Sequence, residues 1–226
     1  IQAEAEMLAA RGTKELILIA QDVTAYGKDI YGRLALPELL HGLCAIDGIE
    51  WIRLLYCYED SITDELIETI RSEEKICKYI DIPLQHISDR ILTNMNRHST
   101  SESIKTTLKK LRERIPGMHI RTTFITGFPG ETDEDFNELA CFIEEQKFDR
   151  LGVFAYSREE GTPAAEMPDQ VDEEIKEQRR DEIMAIQREI SLGGNISKVG
   201  RTLRVLVEEH CEDGTYMGRT DYDAPD

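Results

Sequence analysis

The sequence predicts an α/β protein. Residues 1–168 read as an incomplete parallel (β/α) barrel, residues 169–199 as a charged linker helix, and residues 200–226 as the start of a small β domain. Three observations carry this expectation. Five apolar runs of strand length alternate with stretches whose apolar residues recur at helical spacing, the pattern of a parallel sheet with right-handed crossovers. Arg121 to Glu131 compresses a strand, a glycine turn and the approach to a helix into one short segment. Past Pro168 the composition changes to a heavily charged stretch, then to an alternating one.

Taken in order, residues 2–11 have helix-forming composition and Gly12 stops them. Leu16 to Ala20 is a continuous apolar run, as expected of a strand buried on both faces. Leu36, Leu39, Leu40 and Leu43 mark a helix, Trp51 to Tyr58 a strand, Leu66, Ile67 and Ile70 a helix, and Ile76 to Ile82 a strand. Ser99 and Glu102 form a capping-box pattern ahead of Ile104, Leu108, Leu111 and Ile115. Thr132 and Asp135 repeat it ahead of Phe136, Leu139, Ala140 and Ile143, and Leu151 to Tyr156 is the last strand of the series. The charged helix begins at Val171 with a sparse apolar face of Val171, Ile175, Ile183, Ile186 and Ile190. Gly193-Gly194-Asn195 is expected to end it. Leu203 to Val207 then alternates like a half-buried strand, with Met217 to Arg219 as a second.

Alternation fits a doubly wound sheet as well as a barrel. No GxGxxG follows the first strand and no Walker A sequence is present, which favours the barrel.

At 226 residues, 40% hydrophobic and 32% charged, the composition is that of a folded domain with a real core. No apolar run approaches the roughly 18 residues of a membrane span. Residues 1–12 read as a partly acidic amphipathic helix and not as a signal peptide. Five widely spaced cysteines, with no CxxC or CxxxC pair, argue against a disulfide framework and point to a reducing cytoplasm. The net charge of −18 disfavours a general nucleic-acid binder. It suits a basic protein partner, and equally a role in solubility alone.

Ligands of parallel sheets and barrels meet the carboxyl ends of the strands. Standing there are Gln21 and Asp22, Tyr58 and Glu59, Gln85 and His86, Thr126 and Gly127, and Tyr156 to Glu159. This set of amides and hydroxyls suits hydrogen bonding to a polar organic ligand better than metal ligation. Each has a plainer alternative. Gln21 and Asp22 serve equally as loop caps, and His86 as a satisfied core histidine. Gly127 and Gly130 serve as turn residues, and Glu131 as a carboxylate favoured by a helix dipole. No HxxxH pair and no GxSxG elbow is present, which weakens zinc and α/β-hydrolase readings. These residues alone name no reaction.

Taken together, the motifs carry a family resemblance. Leu18-Ile19-Ala20-Gln21-Asp22-Val23-Thr24-Ala25-Tyr26-Gly27 resembles the second-strand signature of the radical S-adenosylmethionine methylthiotransferases. Tyr79 to His86, with Ser88-Asp89 and Met95-Asn96-Arg97, resembles the family's fourth-strand segment. Thr122 to Thr132 and Phe154 to Ala164 resemble its next two, and Tyr216 to Thr220 with Asp223-Ala224-Pro225 resembles the start of a TRAM domain. Within the family, Ile82 to His86 and Tyr156 to Thr162 are most similar to the branch that modifies an aspartate of a small-subunit ribosomal protein. The other branch modifies an adenosine of transfer RNA. Residues 201–226 hold three Arg and no Lys against seven Asp and Glu, which disfavours contact with RNA.

The resemblance implies S-adenosylmethionine as cofactor and two 4Fe-4S clusters, with reductive cleavage of the cofactor yielding a radical that removes hydrogen from an unactivated carbon. It also implies that Gln21, Gln85, Thr126, Gly127, Phe128, Pro129 and Tyr156 face the cofactor. Asp22, His86, Arg158 and Glu159 stand on the substrate side. The CxxxCxxC loop that holds the family's radical cluster does not occur here and is expected upstream of Ile1, so no metal ligand and no catalytic residue is assigned within the chain. The piece alone is therefore expected to be inert, and its parent an enzyme. A non-catalytic acidic docking module for basic proteins is the rival expectation. No feature of the sequence points to an electron donor.

Overall fold

The structure is a computed structural model that describes residues 1–225. Five parallel strands, β1 (Glu15–Leu18), β2 (Trp51–Leu54), β3 (Ile76–Gln85), β4 (His119–Thr126) and β5 (Arg150–Ala155), form one sheet in the order β1-β2-β3-β4-β5. Spatial order follows chain order without a reversal. That is the winding of a (β/α) barrel, because a doubly wound sheet reverses direction at a switch point. The helices are α1 (Gln2–Ala10), α2 (Lys28–Tyr31), α3 (Leu36–Cys44), α4 (Asp64–Ser72), α5 (Asp89–Asn94), α6 (Ser101–Arg114), α7 (Asp133–Gln146) and α8 (Glu173–Ile196). An antiparallel pair, β6 (Val205–His210) and β7 (Tyr216–Thr220), closes the chain.

The chain divides into two compact units. The first holds residues 1–81, 109–119 and those from Gly200 onward. Its core joins Leu36, Leu40 and Leu43 of α3 and Leu66, Ile67 and Ile70 of α4 to the strand residues Ile52, Leu54 and Ile80, all essentially inaccessible. A second cluster, Trp51, Leu55, Cys77 and Tyr79, receives Leu206 and Ala224 from the C-terminal segment. That segment is also fastened by charge. Glu15 at the start of β1 pairs with Arg53 at 2.8 Å and with Arg219 of β7 at 2.5 Å, and Arg53 donates to the Asp221 carbonyl at 3.0 Å. Burial works against the Arg219 guanidinium, but hydrogen bonds to Glu208 and Glu15 overcome this and hold its pKa above the ordinary value.

The second unit holds residues 82–108 and 120–199. Ile104 and Leu108 of α6, Phe124 of β4, Leu139, Phe142 and Ile143 of α7, and Phe148 are its buried centre. The rings of Phe124, Phe142 and Phe148 meet edge to face at centroid distances of 5.8–6.3 Å. α8 packs on α7 and β5.

Several boundaries depart from the sequence reading. β1 lies at the sheet edge and only Leu16 is buried, so the apolar run is not covered on both faces. β2 stops at Leu54 and not at Tyr58, since Tyr56 turns to φ 56°. The cap of α6 falls at Thr100, not at Ser99: Thr100 Oγ1 accepts the Ser103 N–H at 3.1 Å, and Ser103 Oγ accepts the Thr100 N–H at 3.0 Å. α8 continues through Gly193-Gly194-Asn195 to Ile196. Its buried residues are Lys176, Arg179, Ile183 and Gln187, while Ile175 is 41% exposed. The capping box at Thr132 and Asp135 stands as read.

Candidate functional site

In the second unit the site is built around the turn that follows β4. Gly127 has φ 70°, and a Cβ there would lie 2.2 Å from Lys176 Cγ, so the position requires glycine for conformation and for space. The turn is clamped from within. The Glu131 carboxylate, fully inaccessible, accepts the Gly127 N–H at 3.0 Å and Arg179 Nη1 at 2.7 Å through Oε1. Its Oε2 lies 3.3 Å from His86 Nε2. His86 Nδ1 accepts the Ser88 N–H at 3.0 Å, which assigns the ring proton to Nε2 and aims it at Glu131. The Gly130 N–H donates to the Asp169 carbonyl at 2.8 Å and the Glu131 N–H to the Phe128 carbonyl at 2.9 Å. The amides of Gly127, Gly130 and Glu131 are thus committed inside the protein and are not offered to a ligand.

A carboxylate one turn further on locks the next layer. Asp135 accepts Ser88 Oγ at 2.6 Å and the Thr132 N–H at 2.9 Å, and it pairs with Arg90. Burial pushes its pKa up, but the Ser88 and Thr132 hydrogen bonds and the Arg90 charge prevail, so it stands at about 2.

Thr126, Gly127, Phe128, Pro129 and Tyr156 come together here, all buried. Thr126 Oγ1 donates to the Lys176 carbonyl at 3.2 Å, so its side chain meets α8. The Phe128 and Tyr156 rings meet at 5.2 Å in a cluster with Ile91, and Lys176 Nζ lies 5.3 Å from the Tyr156 centroid. His86 is fully buried with both ring nitrogens engaged, so it braces the turn and presents nothing to solvent. Arg158 and Glu159 are exposed; Arg158 Nε donates to the Ala165 carbonyl at 2.8 Å, and Glu159 accepts Ser157 Oγ at 2.7 Å.

Gln85 ends β3 at φ 70°, a conformation that costs a residue with a Cβ on the order of 1–3 kcal/mol. Its buried Oε1 and the buried Tyr156 hydroxyl have no hydrogen-bond partner among the described residues. Thr122 Oγ1, Gln170 Oε1 and Gln187 Oε1 of the same unit are likewise buried without a partner among the described residues. Of the five, only Gln85 and Tyr156 belong to the residues expected to face a cofactor, where a bound polar organic group fits an unpaired atom.

In the first unit the strand ends are laced differently. Asp22 accepts the Thr24 N–H at 2.9 Å and also the Thr24 hydroxyl, and the Tyr58 N–H donates to Thr24 Oγ1 at 3.2 Å. The Tyr56 N–H donates to Asp81 Oδ2 at 3.2 Å, and its carbonyl accepts the Val23 N–H at 3.0 Å. Gln21 is exposed and Asp22 half-buried.

Cys44, Cys57 and Cys77 are buried, and burial raises all three thiols, Cys44 and Cys77 to about 12. Among the described residues no group of three or more His, Cys, Asp or Glu is placed to hold a metal ion, and no helix is long and apolar enough to cross a membrane.

Sequence reasoning missed Lys176, Arg179 and Tyr56. A stripe at 176, 179, 183 and 187 has helical spacing, but its polar members hide it from a search for apolar periodicity. Tyr56 carries no sequence signal of its left-handed backbone.

Comparison with known proteins follows this geometry. The chain is 54% identical over 223 residues to the ribosomal protein uS12 methylthiotransferase RimO of Lachnoclostridium phytofermentans, covering 98% of this chain and 51% of that protein. It is 54% identical over 221 residues to the RimO of Clostridioides difficile, covering 98% of this chain and 50% of that one. The chain thus spans about half the length of these relatives. Among solved structures, the radical SAM enzyme coproporphyrinogen III oxidase (HemN) of Escherichia coli superposes with a TM-score of 0.63 over 84% of this chain and 46% of that chain. Its identity is 18%, so it shows the fold alone. The profile of the Radical SAM superfamily matches residues 1–143, and the chain belongs to that superfamily.

Proposed function

We propose that this chain is part of a cytoplasmic radical S-adenosylmethionine methylthiotransferase that adds a methylthio group to an aspartate of ribosomal protein uS12. The observation that carries the reading is 54% identity across 98% of the chain to proteins named for uS12 methylthiolation. The net charge of −18 supports it, since such a surface attracts a basic polypeptide.

S-adenosylmethionine, cleaved with the aid of a 4Fe-4S cluster, would supply the radical chemistry. A second such cluster belongs to the same reading. The thiolates for both lie outside these 226 residues, and the chain by itself is inert in this proposal. What its residues contribute is binding and orientation. Gln85 Oε1 and the Tyr156 hydroxyl offer hydrogen bonds, and Phe128 and Tyr156 offer an apolar wall. Thr126, Gly127 and Pro129 shape the turn, with Glu131, His86, Lys176 and Arg179 holding it as positioning residues. Arg158 and Glu159 of the second unit are substrate-side groups. The β6–β7 hairpin is read as the start of a TRAM domain.

The test uses the full-length protein, reconstituted anaerobically with iron, sulfide and S-adenosylmethionine and offered uS12 and transfer RNA together. Mass spectrometry should find methylthio on an aspartate of uS12. Methylthio on adenosine would transfer the protein to the RNA branch, and no product on either would leave only the docking role.

A further inference from the structure

Five described residues other than glycine have positive φ: Tyr56, Gln85, Asn96, Lys147 and Asp169. Asn and Asp tolerate this conformation through their short polar side chains, and Lys147 is the C-cap of α7, where a left-handed residue ends many helices. Tyr56 has no such excuse. A bulky aromatic at φ 56° is an outlier that glycine would relieve. The backbone there is over-determined, with its N–H on Asp81 and its carbonyl on the Val23 N–H. The neighbouring Cys57 N–H donates to the Asp81 carbonyl at 2.8 Å.

These bonds fix the backbone at this position, while the side chain is half exposed. Tyr56 is 48% exposed, and its ring belongs to neither buried cluster described above. Along the same segment exposure alternates, with Cys57 and Glu59 buried and Tyr58 36% exposed, so Tyr56 is the more exposed of the two tyrosines past the carboxyl end of β2. Through Val23 and Thr24 this segment is bonded to the loop that carries Asp22. Strain kept at a strand end for an outward side chain is the mark of a residue that serves a ligand.

We propose that Tyr56, with Tyr58 and Asp22 beside it, is a docking surface for a basic polypeptide segment, and that Tyr56 is a positioning residue for that segment. Charge favours this occupant: the chain carries −18, and the segment that bears the two tyrosines is hydrogen-bonded to the loop that carries Asp22. Aromatic faces attract Lys and Arg, and tyrosine supplies large contact area with few torsions to freeze. The inference rests on the proposed function and names the part of the site that meets its substrate.

The test measures binding of fluorescently labelled uS12 to the full-length protein without catalysis, together with the melting temperature of each variant. Tyr56→Gly removes the ring and relieves the backbone. It should weaken binding by about tenfold or more, as an aromatic anchor does, without lowering the melting temperature. Tyr56→Phe keeps the ring and should bind within about threefold of the parent. Unchanged binding in Tyr56→Gly overturns the inference, as does weakened binding with a melting temperature several degrees lower, which would make the ring a fold element. Failure of the parent protein to bind uS12 overturns it too. Binding that follows Tyr56 while mass spectrometry finds no methylthio product would sink the proposed reaction and keep the docking surface.

Discussion

Two buried arginine–carboxylate clamps secure the C-terminal segments of this chain, and they act at opposite ends of strands. In the second unit Arg179 of α8 grips Glu131, just past the carboxyl end of β4. In the first, Arg219 of β7 grips Glu15, at the amino start of β1, where Arg53 joins it. Chemistry in parallel barrels gathers at the carboxyl ends, while the amino ends serve stability. The same bond type should therefore have different consequences in the two places. Breaking the first should damage fold and site together. Breaking the second should damage the fold alone.

The largest effect is expected from Glu131→Ala. It takes from Arg179 its buried counter-charge, leaving the guanidinium paired with the exposed Asp133, and it leaves the Gly127 N–H and His86 Nε2 without their acceptor. Removing one partner of a buried pair destabilises by about 3–5 kcal/mol. The shift in urea midpoint measures it, and in the full-length protein affinity for S-adenosylmethionine should fall as well. Glu131→Gln should lose less, since the amide oxygen still accepts from Gly127. A loss below about 1 kcal/mol for the alanine variant would mean that the clamp does not hold the turn.

Glu15→Ala comes next. The Arg53 side chain is 0% exposed and would lose the carboxylate it pairs with, so a loss on the order of 3 kcal/mol is expected. Here cofactor affinity of the full-length protein should stay within about twofold of the parent, because amino-end contacts support stability and not ligand binding. An equal fall in affinity for both variants would erase the distinction between the clamps.

Gly127→Ala sharpens the comparison from the packing side. The added Cβ meets Lys176 Cγ at 2.2 Å and Cβ at 2.9 Å, and the left-handed backbone adds strain, for a loss of about 2–3 kcal/mol. Pairing it with Lys176→Ala removes the flexible part of the overlap. A double-mutant cycle should then show a favourable coupling of about 1 kcal/mol. Additive losses would mean that the backbone, and not the lysine, sets the requirement for glycine.

These variants also show how far the sequence could be read. The five strands were legible because apolar runs bounded by turn residues have few other uses, and the Thr132–Asp135 cap was legible because its two partners stand at fixed spacing. The Thr126-to-Tyr156 group was placed by motif, and the structure brings those residues into one buried cluster with α8 over it. The buried stripe of α8 was not legible, for an apolar count sees Ile175 and overlooks Lys176, Arg179 and Gln187, whose burial depends on partners far along the chain. Gly193 and Gly194 each lower helix propensity by about 1 kcal/mol but end a helix only where a left-handed residue closes it, and neither has positive φ. Tyr56 marks the limit most clearly. Its identity favours a strand, and only the bonds to Asp81 and Val23 reveal that the strand has ended.

The smallest predicted effect is a pH dependence that distinguishes the units by a single carboxyl group. Asp135 in the second unit stands at about 2, held down by Ser88, Thr132 and Arg90 against the opposing effect of burial. An unfolded aspartate titrates near 3.9. The folded state therefore binds the proton less readily than the unfolded state, and the resulting stability is fully present above about pH 4. It should be lost as the pH falls from about 4 through about 2, to a total of about 2 kcal/mol. Urea midpoints taken across that range should fall less steeply for Asp135→Asn, whose one amide oxygen can keep either the Ser88 or the Thr132 hydrogen bond and which has no charge to lose. At neutral pH the same variant should already be weaker by a similar amount, since Arg90 loses its counter-charge. Identical slopes for the two proteins would place the acid sensitivity elsewhere, and the second unit would then owe its rigidity to the Glu131 clamp without help from the layer beneath it.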